Sequence, residues 1–169
     1  MTIIIDEIKP IRQLTSYTCG LGALRTVFHY YGFDVSEDEL KKAGCIDENG
    51  TSHQQMRKLA NNYNFRFYAK SNATLEDLKK WLKKDCPVII DYQDYDYGRL
   101  GYNNGHYAVA YGIDDNFVYI SDPANYNEND KKRFANNKKM EIDNFLKRWY
   151  DMDENQNETR RWMVIIRPK

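Results

Sequence analysis

The sequence predicts an α+β fold in which a largely helical first half packs on an antiparallel sheet drawn mainly from the second half. Three features carry that expectation. As far as Leu82, apolar residues recur at three- and four-residue steps behind Ser and Thr starts, as amphipathic helices require. From Pro87 onward the pattern changes to short runs of β-branched and aromatic residues. Two of those runs flank Asp114-Asp115-Asn116, a turn sequence that suits a hairpin and hence antiparallel pairing.

Taken in order, residues 1–6 read as a short opening strand, and Pro10 through Thr18 as a polar loop. Leu21, Leu24, Val27, Phe28 and Tyr31 then mark one face of a helix that Thr18 caps and Gly32 stops, with Cys19 and Gly20 in its first turn. Ser36-Glu37-Asp38-Glu39 is a capping box before a helix ending at Gly44. Thr51-Ser52 opens a third helix with Met56, Leu59 and Ala60 on one face. A strand over Phe65–Ala69 and a helix from Thr74 through Leu82 follow. The second half gives strands at Pro87–Asp91, His106–Ile113, Phe117–Asp122 and Trp162–Ile166, and a helix over Glu141–Tyr150. Between them, Tyr92–Gly105 reads as a loop long enough to act as a lid, and Asn125–Lys139 as a polar surface loop.

Composition narrows the function. At 169 residues, the chain suits a single domain over 1–169 with a full apolar core. Lys+Arg and Asp+Glu both count 25, so no excess of positive charge points to nucleic acid or an acidic membrane. No apolar run approaches the roughly 20 residues of a membrane span. The start lacks the basic and apolar regions of a signal peptide, so a cytoplasmic location is expected. Cys19, Cys45 and Cys86 cannot all pair, which leaves at least one free thiol.

Cys19 is the thiol with chemistry around it. The first turn of a helix offers unpaired N–H groups and a positive dipole end, both favourable to negative charge. Gly20 lets a substrate approach the backbone closely. The Cys19 N–H can point at an oxyanion, and the Gln13 amide on the preceding loop supplies a second donor. Among three histidines, His29 sits near the far end of the same helix and His53 reads as a solvated residue at another helix start. His106 begins a hairpin strand. A turn centred on Asp114 sets residue 106 opposite residue 122, with Cβ atoms about 5 Å apart, Ala108 opposite Ile120 and Ala110 opposite Val118. Asp122 is thereby presented to His106, and Pro123 keeps it extended. Cys19 then serves as nucleophile, His106 as base and Asp122 as the carboxylate that orients it. No metal or other cofactor is needed. Asp91, Asp94 and Asp96 lack the calcium-loop spacing and its terminal Glu, and read as a solvated loop.

These residues resemble a known group. Gln13, Tyr17-Thr18-Cys19-Gly20, Gly105-His106-Tyr107-Ala108-Val109 and Asp122-Pro123, supported by Gly50-Thr51-Ser52, Pro87-Val88-Ile89 and Gly112-Ile113-Asp114, are similar to the peptidases that cut double-glycine leaders from bacteriocin precursors. The resemblance spans about residues 10–125 and implies a papain-like fold. It also implies a Cys19–His106–Asp122 triad with Gln13 as oxyanion donor, and a peptide or protein substrate. Thr18 stands where many relatives carry an acidic residue. Bacteriocin-processing members are usually fused to a membrane-spanning, ATP-hydrolysing exporter. This sequence has no apolar span and no phosphate-binding G-x-x-x-x-G-K-[ST] loop, so the double-glycine substrate does not transfer with the fold. Two other readings stay open: acyl transfer to an amine on the same triad, and a papain-like domain that binds peptides without cleaving them.

Overall fold

The computed structural model describes residues 1–94, 105–124, 136–152 and 157–169. Its first half runs β1 (Ile3–Ile4), α1 (Cys19–Tyr30), α2 (Glu37–Gly44), α3 (His53–Asn62), β2 (Phe65–Lys70) and α4 (Leu75–Leu82). The second half is β3 (Val88–Gln93), β4 (Gly105–Ile113), β5 (Phe117–Asp122), β6 (Asn136–Glu141), α5 (Ile142–Arg148), β7 (Tyr150–Met152), β8 (Glu158–Arg160) and β9 (Met163–Pro168).

The starts of α2, α3 and α4 follow directly from sequence. Ser36 with Glu39, Ser52 with Gln55, and Thr74 with Asp77 each form a reciprocal capping box that satisfies two backbone donors. Strands β2-β9-β3-β4-β5-β6 lie side by side in that order, β1 adds to the end of β4, and every pairing is antiparallel. Alternation divides the core between the two faces. Ile89, Val109, Val164 and Ile166 pack under Leu21, Leu24, Phe28, Leu40, Met56 and Leu59 of α1–α3. On the other face Val88, Ile90, Ala108, Ala110, Ile120 and Ile165 meet Leu78 and Leu82 of α4, Phe145 of α5 and Trp149 just after it. The α+β expectation holds, with α4 and α5 covering the face that the N-terminal helices leave.

Several local expectations need correction. Residues 136–139, read as surface loop, belong to β6, a strand that pairs with β5 along its length; residues 125–135 lie outside the described set. Only Met140 of β6 is apolar and buried, so no alternation announced this edge strand, whose lysines also discourage pairing with another chain. The helix read over Glu141–Tyr150 is confined to Ile142–Arg148, and Tyr150 enters the small β7–β8 hairpin instead. Tyr92 and Gln93 extend β3 and Gly105 starts β4; the rest of the candidate lid, 95–104, is outside the described residues, as is Asp96.

Register is the most consequential correction. Ala110 pairs with Ile120 and Val109 with Ser121, whereas nearer the turn Gly112 pairs with Tyr119 and Ile113 with Val118. The expected pairing was therefore off by two residues, and Tyr111 is an extra residue, a bulge. By continuation Asp122 faces Ala108, and His106 is its diagonal neighbour on the same face. Had the turn-side register run unbroken, Asp122 would face Val109 and lie on the opposite side of the sheet from His106. The bulge restores the shared face.

Candidate active site

The helix that carries Cys19 starts differently from the three after it. Thr18 occupies the N-cap position at φ −101° and ψ 25°, but its side chain makes no cap bond, contrary to expectation. Its hydroxyl instead accepts from the Thr15 N–H at 3.1 Å, with Thr18 itself buried. The first turn holds no acidic residue, and the Cys19 N–H makes no hydrogen bond among the described residues. The Leu21 and Gly22 N–H groups bond to Thr18 O, so the Cys19 N–H is the donor available to a ligand. Gly20 is buried against protein, not open to substrate as expected: a Cβ there would stand 2.7 Å from Thr51 Cβ and 3.2 Å from the Tyr107 ring. Gly22 likewise admits Pro123, since its Cβ would lie 2.5 Å from the proline Cβ. These two glycines let the helix tip sit down between the loop at Thr51 and the end of β5.

Cys19, His106 and Asp122 are brought together. The His106 Nε2 and Asp122 Oδ1 are 2.7 Å apart, both side chains almost wholly buried. That bond leaves Nδ1 for the Cys19 side chain, which lies within hydrogen-bonding reach of the ring. Burial alone would disfavour the imidazolium, but the Asp122 charge and hydrogen bond, with Cys19 adding to both, raise its pKa to about 10. Burial also penalises the Asp122 carboxylate. Its partners His106 and Lys138 overcome that and hold it well below the usual carboxylate range. The Ala124 N–H donates to Asp122 Oδ1 at 2.9 Å, and Lys138 Nζ approaches Oδ2 at 2.5 Å. Tyr92 stands edge-on to the His106 ring, with centroids 5.8 Å apart.

Gln13 is buried beside the helix start. Its N–H donates to Pro123 O at 2.8 Å, its Nε2 donates to Thr15 O at 2.7 Å, and its Oε1 is buried without a hydrogen-bond partner. One of its two amide hydrogens thus remains uncommitted. His29 lies away from this group, bonded to Asp34 through Nδ1 at 2.6 Å.

Sequence reasoning missed two features. Asp94 is buried, and Asp94, His106 and Asp122 offer ligand atoms within 4.8 Å of one another. A cation already reaches both carboxylates of that group, since Lys138 Nζ is also 3.7 Å from Asp94 Oδ2. Nothing in the local sequence marks Lys138, because strand pairing alone carries it there.

The second feature lies on the other face of the sheet. His53, expected to be solvated, stacks flat on Trp162 at 3.8 Å and 4°, with Nε2 3.2 Å from Asp91 Oδ2. Asp91, expected in a solvated loop, is 1% exposed. Its Oδ1 receives no donor in good geometry, although the Tyr107 hydroxyl and the Asp151 carboxyl stand beside it. Burial pushes Asp91 up to about 7, and burial lowers His53, opposed only by the Asp151 charge. Gln93 Nε2 donates to Asp151 Oδ1 at 3.1 Å.

The fold, with a cysteine and a histidine brought together on it, is that of a papain-like cysteine peptidase. The chain belongs to the Peptidase_C39 like family, whose pattern matches residues 5–157, and it is accordingly a cysteine-type hydrolase. It is 30% identical to an uncharacterized protein of Methanothermobacter thermautotrophicus over 119 residues, which is 70% of this chain and 73% of that protein. Among solved structures it is similar to the peptidase domain of Streptococcus ComA, a bi-functional ABC transporter involved in a quorum sensing pathway. That match has TM-score 0.69 and 20% identity, over 96% of this chain and 100% of the domain. A double glycine motif protease from an AMS/PCAT transporter, solved in complex with the leader peptide, is equally similar. There the TM-score is 0.69 and the identity 19%, over 100% of this chain and 99% of the other. None of the described helices is long and apolar enough to cross a membrane.

Proposed function

We propose that this peptidase hydrolyses peptide bonds through a Cys19–His106–Asp122 triad and a thioester intermediate. One observation carries the reading: the thiol of an uncapped helix start lies against a buried imidazole whose far nitrogen is fixed by a buried carboxylate. His106 Nδ1 takes the Cys19 proton, and the thiolate attacks the carbonyl carbon of the scissile bond. The oxyanion that forms accepts hydrogen bonds from the Cys19 N–H and the free Gln13 amide hydrogen. The His106 proton passes to the leaving nitrogen as the C–N bond breaks, which leaves an acyl group on sulfur. Water, deprotonated by His106, attacks that thioester; the C–S bond breaks, the carboxylate product leaves, and the thiol is regenerated. Asp122 keeps the imidazole in the productive tautomer and compensates its charge throughout. The leader peptide bound to the similar transporter protease supports a peptide as substrate.

The test separates chemistry from exposure. Cys45 is exposed, Cys19 half-buried and Cys86 buried, so accessibility alone favours labelling of Cys45 first. Iodoacetamide at limiting concentration near pH 6 is expected to label Cys19 first, and a peptide library to be cleaved by the wild type but not by Cys19→Ala. Preferential labelling of Cys45, together with no cleavage of any peptide, would remove the triad reading.

A further inference from the structure

Asp122 lies on a strand with neighbours on both sides, and each of its oxygens is taken by one of them. Oδ1 faces β4, where His106 is its diagonal neighbour. Oδ2 faces β6, where Lys138 pairs with Ile120 and is therefore diagonal to Asp122 as well. The result is a row of three side chains across three strands on one face of the sheet: imidazole, carboxylate, ammonium. We infer that Lys138 is the fourth member of the relay, a positioning residue that clamps Asp122 Oδ2 so that Oδ1 stays on His106. This inference rests on the triad reading above.

Three observations set this lysine apart from an ordinary surface ion pair. Both carboxylates it meets are buried, with side chains 4% (Asp122) and 1% (Asp94) exposed, while Lys138 is itself only 26% exposed. An exposed pair contributes little, but removing a cation shared between two buried carboxylates leaves buried charge uncompensated, which is costly. Its ammonium also lies 5.8 Å from the centre of the Tyr92 ring, the same ring that borders His106. Last, without a cation between them Asp94 and Asp122 would repel at close range, and the freer of the two would rotate. The groups facing Lys138 among the described residues are Asp94 at the end of β3, Asp122 on β5 and the Tyr92 ring on β3, with His106 behind Asp122.

Clamping has a kinetic and an electrostatic consequence. A carboxylate free to swing misaligns the imidazole without touching substrate, so turnover suffers and affinity does not. Removing the ammonium also leaves the imidazolium facing uncompensated negative charge, so His106 holds its proton to higher pH. In Lys138→Met, kcat is expected to fall about 10–100-fold with KM changed less than about 3-fold, as misplacement costs rate. The alkaline limb of the kcat/KM profile should move up by about one pH unit. Lys138→Arg, which keeps the charge and the reach, should recover most of the rate.

Two readouts need no turnover. Ring ¹⁵N NMR of His106 in the resting protein should show the same upward shift in Lys138→Met. In the unsubstituted protein the Lys138 ¹⁵Nζ resonance should move at the His106 midpoint, which keeps the inference testable if the Met variant does not fold. Wild-type kcat and His106 titration in a folded Lys138→Met, equal losses in Met and Arg variants, or a Lys138 resonance indifferent to His106 would each overturn it. If the wild type cleaves no peptide, the NMR arms still decide the fate of Lys138 separately from the peptidase reading.

Discussion

His106 with Asp122 and His53 with Asp91 are the same two residue types at similar separations, 2.7 and 3.2 Å, with one fully buried carboxylate in each pair. Their protonation states are nevertheless opposite. His106 is raised to about 10 and Asp122 is depressed, so the first pair is a salt bridge across the neutral range. His53 is lowered and Asp91 is raised to about 7, so the second is a neutral imidazole beside a carboxyl that holds its proton. Burial raises both carboxyls, and what opposes it decides. Asp122 has a backbone N–H and an ammonium at its oxygens, whereas the Asp151 and Tyr107 side chains lower Asp91 too little to offset burial, and one of its oxygens lacks a good donor. A buried histidine–carboxylate contact is therefore not by itself a relay; the compensating charge behind the carboxylate makes it one.

The sharpest way to break this comparison is to remove each imidazole. His106→Ala should lower peptide cleavage by at least about 10³-fold, while His53→Ala should leave kcat within about 3-fold and lower thermal stability, because it uncovers Trp162 and a buried carboxyl. Comparable losses of activity in both would erase the distinction. Gln13→Ala, outside both pairs, should reduce kcat by about 10²–10³-fold, the effect of losing one oxyanion donor. An unchanged rate takes Gln13 out of the mechanism. Replacing the carboxylates is the next step down. Asp122→Asn should cost about 10–10²-fold in kcat with little change in KM, since the ring loses its charge compensation but keeps a hydrogen-bond partner. Asp91→Asn should leave kcat unchanged.

Proton linkage sharpens the same contrast with opposite signs. Asp91 has a folded pKa above its unfolded value, so the folded state binds the extra proton, and its contribution to stability is full below about 3.8 and lost as pH rises towards 7. His106, also raised, contributes stability that is full below about 6.5 and lost as pH climbs through about 10. Depressed Asp122 contributes above about 3.8 and loses it as pH falls further. Of these three groups Asp91 is the one that changes between pH 4 and 6.5, whereas the lowered His53 contributes stability that grows as pH rises there. Urea unfolding of the wild type relative to Asp91→Asn should show stability declining with pH in that window, by at most about 1.4 kcal/mol per pH unit. A flat difference would mean that Asp91 is ionised in the folded protein. The smallest effect is expected from Gly105→Ala. The new Cβ would be placed 2.2 Å from Asp151 Oδ1, so that carboxylate must swing away from Gln93. Activity should change little, and the Asp91 midpoint should rise as the hydrogen bond from Asp151 that lowers it is lost.

Legibility followed locality. Capping boxes at Ser36, Ser52 and Thr74 need only four consecutive residues, and their helices lie where the sequence put them. Cys19 at a helix start and His106 at a strand start were readable for the same reason. The cap of α1 was misread because a Thr at the right position satisfies the rule locally, while in the fold its hydroxyl is engaged by the turn at Thr15. The Asp122 pairing was reached through a wrong register, and it survived because a two-residue error preserves the face. A one-residue error would not have. The β6 strand was invisible because an edge strand of Asn, Lys and Glu carries no apolar period.

By itself, then, the sequence determined the order of helices and strands and the thiol at the helix tip. These depend on residues close together in the chain and on the fixed periods of helix and strand. The tertiary structure alone decided the bulge that puts His106 and Asp122 on one face, which histidine is charged, which aspartate holds a proton and which lysine stands behind Asp122. Those are set by desolvation and by neighbours from distant strands, through energies that depend on distances no linear spacing encodes.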